Sequence, residues 1–513
     1  MEKKMDYTKI PKEKFAFYQR DENIHDKKLD TKPVGYFRDA MGRFARNKSS
    51  VAAAVIIALL ILYAVIIPYA GGNKYTNSPS DTMYLRYANL LPKSSLFAWA
   101  GWDGCTDETL SKSDYYARLA IGQETGMNPI VKVYREDYVA KDTLSNTTYY
   151  DVRIDSYLKN GMLYLSLTPE EYTAIQQWQN ETGIQVIYPA VDTSEFKLAT
   201  LKTDANIWYQ CNQKGAPKLD RNNNLIPLYK TSGNDGNYDS LRIPGDDGSY
   251  KYAVLMGTST SPAYNVRVFS YTYFQYRYGF EPSFLFGTNA YGQDILTRLA
   301  NAARFSMVFA ICVSAVNLLI GAFYGAFEGY YGGKVDLVME RISDILSGVP
   351  FVVVVTLFKL HLAKQVGALP SLLFAFVLTG WIGMASKTRM QFYRFKNQEY
   401  ILAARTLGAS DFRLMFGHIF PNALGTLITG AVLYIPNVVY SESNLTYLGI
   451  VNLDSTTRTS IGSMLSAGQP VMSTFPHVVL FPSIFIALLL ITFNLFGNGL
   501  RDAFNPSLRG TED

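Results

Sequence analysis

Glu399-Tyr-Ile-Leu-Ala403-Ala404-Arg405-Thr-Leu407-Gly408-Ala-Ser410-Asp411-Phe412, running on through Met415-Phe416 to Ile419-Phe-Pro421, lies between two apolar runs long enough to cross a bilayer. The spacing predicts two short helices joined at a glycine. Ala403, Ala404 and Leu407 give the first a close-packing face, and Gly408 frees the backbone to turn where it stops. Ser410 is placed to cap the second helix, with Asp411 in its first turn. Phe412, Met415, Phe416 and Ile419 then recur at i, i+3, i+4 and i+7 as one apolar stripe. Pro421 falls where the next helix would begin, a position that tolerates proline.

Working outward, apolar residues concentrate near 51–68, 304–327, 345–362, 368–385, 423–441 and 478–496. A helix needs about 20 mainly apolar residues to cross the hydrocarbon, so six crossings are expected. The first is not a removable leader, because the tail ahead of it is too long. That tail carries thirteen Lys and Arg, and the 387–420 segment holds Lys387, Arg389, Arg394, Lys396, Arg405 and Arg413. Basic residues close to membrane helices favour the cytoplasmic side. The tail, the 329–343 and 387–420 loops and the C-terminus are therefore expected inside, with 70–298 and 442–475 outside. The net charge of +5 follows from this layout and points to no nucleic acid.

The Glu399…Ala403-Ala404…Gly408…Ile419-x-Pro421 pattern resembles the "EAA" loop of ABC importer permeases, although Leu402 stands where that motif's acidic residue would. Other segments resemble dipeptide and oligopeptide permeases in the family's order. They are Gly287-Thr-Asn289-Ala-Tyr-Gly292-Gln293-Asp294…Arg298, Gly329-Tyr-Tyr-Gly332-Gly333-Lys-Val-Asp336, Glu442-Ser-Asn-Leu445, Ile461-Gly462-Ser-Met464 and Asn494-Leu-Phe-Gly497-Asn-Gly499-Leu-Arg501-Asp502.

The resemblance implies a C-type permease subunit of a peptide importer. The expected fold is an α-helical integral membrane protein with six transmembrane helices and an inserted α+β domain. The organisation would be a cytoplasmic tail at 1–49, a first helix at 50–69, an extracytoplasmic domain at 70–285, a five-helix core at 286–500 and a cytoplasmic tail at 501–513.

No Gly-x-x-x-x-Gly-Lys-Ser/Thr phosphate loop occurs; Gly332-Gly333-Lys334 lacks the upstream glycine and the hydroxyl. ATP hydrolysis is thus expected in partner subunits. The resemblance implies two ABC ATPases, a homologous second permease and an extracytoplasmic substrate-binding protein, besides membrane lipids, with no cofactor. Glu399, Ala403, Ala404, Gly408, Asp411 and Pro421 would shape the ATPase-coupling loop, while Arg405, Phe412 and Met415 would touch the ATPase. Asn437 and Glu442 are candidates for the translocation path, since a polar group at membrane depth usually faces protein or a water-filled cavity. Gly321, Gly325 and Gly329 recur every four residues and would let another helix approach closely. Pro350 and Pro436 are expected to kink their helices.

In 70–285, Gly71 to Ser80 reads as a loop. The alternation at 149–167 around Asn160-Gly161 reads as a hairpin. Residues 264–278 read as a strand, and Thr168-Pro-Glu-Glu171 opens a helix over 169–181. A brace for the permease or a docking surface for the binding protein fits this segment. Its lack of histidine, of zinc spacing and of a nucleophile motif argues against catalysis and a metal site; Asp220 to Asn224 reads as a turn. A disulfide between Cys105 and Cys211 is permitted outside the cytoplasm, while Cys312 is expected to fill space between helices. Importers of nickel or glutathione, and a peptide sensor on a permease scaffold, share these motifs and stay open as alternatives.

Overall fold

The structure, a computed structural model, describes residues 36–70, 81–139, 148–191, 204–211, 216–226, 229–230, 238–241, 251–258, 261–454 and 458–504. The Gly71–Ser80 loop reading and both chain ends lie outside them.

Among the described residues, five helices are long and apolar enough to cross a membrane: Lys48–Ala70, Ile295–Tyr331, Ala368–Phe395, Arg413–Tyr447 and His477–Phe504. A bent pair, Gly333–Ser347 and Phe351–His361, meets at 73° and brings the crossings to six if it counts as one span. Pro350 sits at the break. Its ring disfavours helical backbone at Val349, so the helix must stop and restart. The 329–343 segment, expected as a loop, is therefore mostly helix. Pro436, by contrast, lies inside an unbroken helix, Phe420–Tyr447.

Glycines set the closest helix contact. A Cβ on Gly321, Gly325 or Gly329 would lie 2.7, 2.1 or 2.7 Å from atoms of the 381–392 region. The 295–331 and 368–395 helices thus meet backbone to backbone, as the four-residue spacing predicts. Cys312 is exposed rather than packed between helices. The amphipathic Tyr36–Arg46 helix lays Ala40 and Phe44 on Leu500, Ala503 and Phe504 at the far end of the last helix.

Between the first and second crossings the chain builds mixed α and β structure. Strands β1 (Cys105–Ser111), β2 (Ile130–Val139) and β3 (Thr148–Asp155) form an antiparallel sheet in the order β1-β3-β2. Tyr150, Val152 and Ile154 point to one face, the period of two expected of a half-buried strand. The second sheet comprises β4 (Met162–Leu167), β5 (Ile187–Tyr188), β8 (Ala253–Thr258) and β9 (Ser261–Phe269), with β9 in the middle; β6 (Tyr229–Lys230) and β7 (Tyr238–Leu241) pair separately. Thr168 and Glu171 close the expected capping box on the Pro169–Thr182 helix. Asp220 accepts from the backbone N–H groups of Asn222 and Asn224, giving the expected turn. A buried Arg267–Glu124 ion pair ties β9 to the Lys112–Thr125 helix.

Two expectations fail here. The 149–167 alternation is not a hairpin, because β3 pairs with β1 and β2 while β4 pairs with β9. An Asn-Gly hairpin needs strands running up to the two turn residues. Instead five residues of turn intervene. Tyr157 is buried with its hydroxyl donating to Leu91 O, and Asn160 donates to Arg86 O, so both sheets are pinned to the 84–92 segment separately. Nor is 264–278 all strand: after Phe269 the chain coils into the Ser270–Tyr278 helix, ended by Gly279 at φ 73°. Tyr271, Tyr273, Phe274, Tyr276 and Tyr278 fit both an alternating pattern and an i, i+3, i+7 stripe, and burial of Tyr271 and Phe274 decides.

The proposed Cys105–Cys211 bond is absent; both are free thiols. Cys105 opens β1, whose sheet packs on the 112–125 helix through Tyr115 and Leu119. Cys211 belongs to a cluster with Trp208 and Leu225 that uses Tyr116 and Ala120 of the same helix. Burial, with Asp103 and Asp155 nearby, pushes the Cys105 thiol up to about 12, and burial raises Cys211 to about 11. The thiolate is the reactive form. Maleimide at neutral pH should therefore modify both at least roughly a hundredfold more slowly in the native chain than after unfolding. Mass spectrometry of the alkylated chain reads the rate; fast native labelling would contradict the burial.

Candidate functional site: the 399–421 loop and its support

The loop is a short helix, Glu399–Thr406, followed by Gly408 at φ 86°. No atom lies within 4 Å of where a Gly408 Cβ would sit, so its requirement is backbone conformation and not space. Ser410 then caps as expected, its backbone carbonyl accepting from Leu414 N and its hydroxyl from Arg413 N. The second helix does not stay short. It runs into the next crossing through one wide turn at Arg413–Ile419, in which Phe420 N donates to Met415 O. Pro421 supplies the cause: it has no N–H for Gly417 O and its ring crowds that carbonyl, so the preceding turn loosens.

Ile401, Leu414, Met415 and Ile419 are buried against Ala326, Tyr330 and Phe392. Tyr330 donates to Asp411 Oδ1 at 2.6 Å and receives Arg405 Nη2 at 3.4 Å. Asp411 and Arg405 therefore bind the loop to the end of the 295–331 helix. The outward surface carries Leu407, 88% exposed, and Phe412, 67% exposed, together with Leu402 and Ala403. Glu399 and Pro421 are also exposed, and Ala404 is half-buried. Met415, expected to touch a partner, is 1% exposed and packs against Ala326, Tyr330 and Phe392. The helical stripe through Phe412 and Met415 is real; its two ends point to different neighbours.

Arg389 holds the support together, and sequence reading counted it only as one more basic residue. Its guanidinium donates to both Asp336 oxygens at 2.6 and 2.8 Å and to both Glu340 oxygens at 2.8 and 3.1 Å. Glu328 lies 3.6 Å away, and Tyr393 donates to Asp336. One planar cation thus fastens the 368–395, 333–347 and 295–331 helices beside the loop. The available signal was Asp336 within the quoted Gly332-Gly333 segment, an acid that needed a base. Arg389→Ala leaves three carboxylates facing one another. It should cost about 3 kcal/mol, the low end for breaking a buried pair because Arg389 is part-exposed. Arg389→Lys should recover only part, since lysine lacks the fork. Thermal unfolding of the purified chain measures both; equal stability of Ala and wild type would refute the assignment.

Asn437 and Glu442 are not brought together. Five residues along a helix turn about 140°, and Asn437 is exposed while Glu442 is fully buried. Glu442 Oε2 accepts from Ser306 at 2.9 Å and Ser443 at 3.4 Å, and Oε1 accepts from Thr446 at 3.5 Å. It fastens the 295–331 and 420–447 helices and lines no open path in this chain. Gly462 has its Cβ position 1.9 Å from Thr446 Oγ1, which lets the Ile461–Gly468 helix lie over this knot.

The Phe286–Arg298 segment is a pair of turns clamped on the chain just after the first crossing. Thr288 Oγ1 donates to Tyr87 O and accepts from Leu90 N. A Cβ on Gly292 would strike Tyr84 O. Asp294 caps the long helix through Leu296 N and Thr297 N. Just beyond, Lys93 N donates to Phe284 O at 2.9 Å, so residues 93–284 leave and re-enter this base at neighbouring points.

The family model for the inner-membrane component of binding-protein-dependent transport systems matches residues 317–510. That for the N-terminal membrane domain of oligopeptide transport permease C matches 35–92. The oligopeptide transport system permease protein OppC of Bacillus subtilis is 40% identical over 224 residues, 44% of this chain and 72% of the relative. The chain belongs to the oligopeptide and dipeptide permease family. The dipeptide permease protein DppC of the same organism is 36% identical over 225 residues, covering 44% of this permease and 69% of the relative. Among solved structures, an inward-facing MetNI methionine ABC transporter matches with TM-score 0.35 and 14% identity, over 40% of this permease and 96% of that chain. The permease is a multi-pass membrane protein, and the N-terminal family match ends at Pro92 while the other begins at 317.

Proposed function

We propose that this chain is the C-type permease of an ATP-driven importer of oligopeptides or dipeptides, forming half of the pore in the cell membrane. The observation that carries this reading is the exposed Leu407–Phe412 surface on a loop whose buried side is locked to three crossings, within a chain related to peptide permeases. One of two ABC ATPases would seat on that surface, a homologous permease would complete the pore, and a substrate-binding protein would deliver peptide. ATP-driven closure of the ATPases would move the loop, and Arg389, Asp411 and Tyr330 would pass the movement to the helices.

By the distribution of basic segments, both termini and the loop would lie in the cytoplasm, with residues 93–284 outside as an insert on the 81–92 and 284–298 base. In this arrangement the chain itself performs no catalysis. Asn437 remains a path candidate, at an interface with the second permease. The test is affinity purification of the tagged chain in mild detergent, followed by reconstitution and uptake of labelled peptide. Two ATPases, a second permease and ATP-dependent uptake support the reading. A chain that purifies alone, or with a regulator and no uptake, overturns it.

A further inference from the structure

The start of the 93–284 unit carries an apolar finger that the importer reading does not use. Residues 95–101, Ser-Leu-Phe-Ala-Trp-Ala-Gly, are all exposed and hold no charge. Leu96 is 77% and Trp99 85% exposed. A soluble surface has no reason to present them together on one tip.

The finger is a turn closed on its own backbone, which takes up three of its seven N–H groups. Ser94 N donates to Trp102 O at its neck, and Phe97 N, Ala100 N and Gly101 N donate to Ser94 O, Phe97 O and Ala98 O. Gly101 takes φ 90°, which the turn requires. The headgroup region, unlike the hydrocarbon core, holds water that serves the N–H groups the turn leaves open. The flanking charges are engaged elsewhere, Lys93 with Asp155 at 2.9 Å and Asp103 with Arg153 at 2.7 Å.

Its height is fixed by aromatic contacts. Trp102 sits edge-on to Phe481 at 5.6 Å and to Phe286 at 6.1 Å, and Phe286 stacks on Phe481 at 4.1 Å. Phe481 lies in the second turn of the last crossing, His477–Phe504, next to the exposed Leu480 and Ile484. The finger therefore emerges level with the end of a membrane-spanning helix, where tryptophan is favoured.

We propose that Leu96, Phe97 and Trp99 insert into the headgroup and upper acyl region of the outer leaflet, pinning the base of the 93–284 unit to the bilayer. That the leaflet is the outer one rests on the orientation given above; insertion itself does not depend on transport. The argument is continuity: the patch extends the apolar face of a helix that already spans the membrane, and it carries no charged side chain to meet a charged protein partner.

The assembled complex is reconstituted in vesicles of phosphatidylcholine, plain or brominated at acyl carbons near the interface. Fluorescence is recorded for wild type and Trp99→Phe, and the difference isolates Trp99. The expected result is a Trp99 signal lost in brominated lipid and insensitive to aqueous iodide. A signal quenched by iodide and untouched by brominated lipid means a finger in water, and one quenched by neither means a protein covers it; either overturns the proposal. Peptide uptake by the same vesicles reports separately on the importer reading, so the two can fail independently.

Discussion

Replacing Gly325 by valine should yield no properly assembled permease. The 295–331 helix lies so close to the 368–395 helix that a Cβ at 325 would be 2.1 Å from Ala385 O and 2.8 Å from Thr388 Cβ. The first obstacle is backbone, which cannot step aside as a side-chain tip could. Overpacking a tight core costs about 1–3 kcal/mol when side chains can shift; here two helices must separate, so the cost exceeds about 3 kcal/mol. Arg389 would move with the 368–395 helix, loosening its grip on Asp336 and Glu340. Separation also opens gaps that lipid cannot fill neatly, and close packing is what holds membrane helices together. Gly383→Ala is the matched control. Gly383 lies on the same helix, but no atom occupies the space within 4 Å of its Cβ position, so alanine there should be neutral or gain up to about 1 kcal/mol of helix propensity. Size-exclusion profiles and thermal unfolding in detergent separate the two. A monodisperse, normally stable Gly325→Val complex would refute the packing account.

The glycine triplet was legible because it is a spacing rule in one dimension: one helix, one period, one consequence. The crossings were legible for the same reason, and so were the capping box at Thr168 and the turn at Gly408. What resisted reading depends on partners distant in sequence. Met415 and Phe412 share a stripe, yet only the position of Tyr330 and Phe392 determines that Met415 is covered and Phe412 is not. Glu442 was noticed as an ionisable group at depth, but Ser306 lies 136 residues away and gives no local sign of pairing with it. Arg389 was lost among other basic residues for the opposite reason, since its topological meaning as a positive charge hid its structural one. In the 81–285 region, aromatic-rich runs such as 264–278 satisfy both periods, so only burial separates β9 from the helix that follows.

Leu407→Asp, alone or with Phe412→Asp, should abolish peptide-stimulated ATP hydrolysis and uptake while leaving the isolated permease intact. Both side chains are mostly in water in this chain, so a carboxylate there stays solvated, and stability should change by no more than about 0.5 kcal/mol. On docking, the same carboxylate would have to be desolvated inside an apolar contact. Truncating a central apolar anchor typically costs about 2 kcal/mol or more, and an added buried charge raises that further. A loss of at least roughly tenfold in ATPase retention is therefore expected. Met415→Asp provides the contrast. Met415 is 1% exposed, packed with Ile401, Leu414 and Ile419, so its carboxylate would disrupt the loop's buried side and lower the melting temperature before any partner binds. The two variants thus separate a docking surface from its foundation. Co-purification stoichiometry, ATP hydrolysis and thermal unfolding are measured on each. If Leu407→Asp with Phe412→Asp retained ATPases and uptake, the partner would not sit on this face. If instead it melted early, the exposed ridge would be part of the fold and the coupling role would pass to another surface.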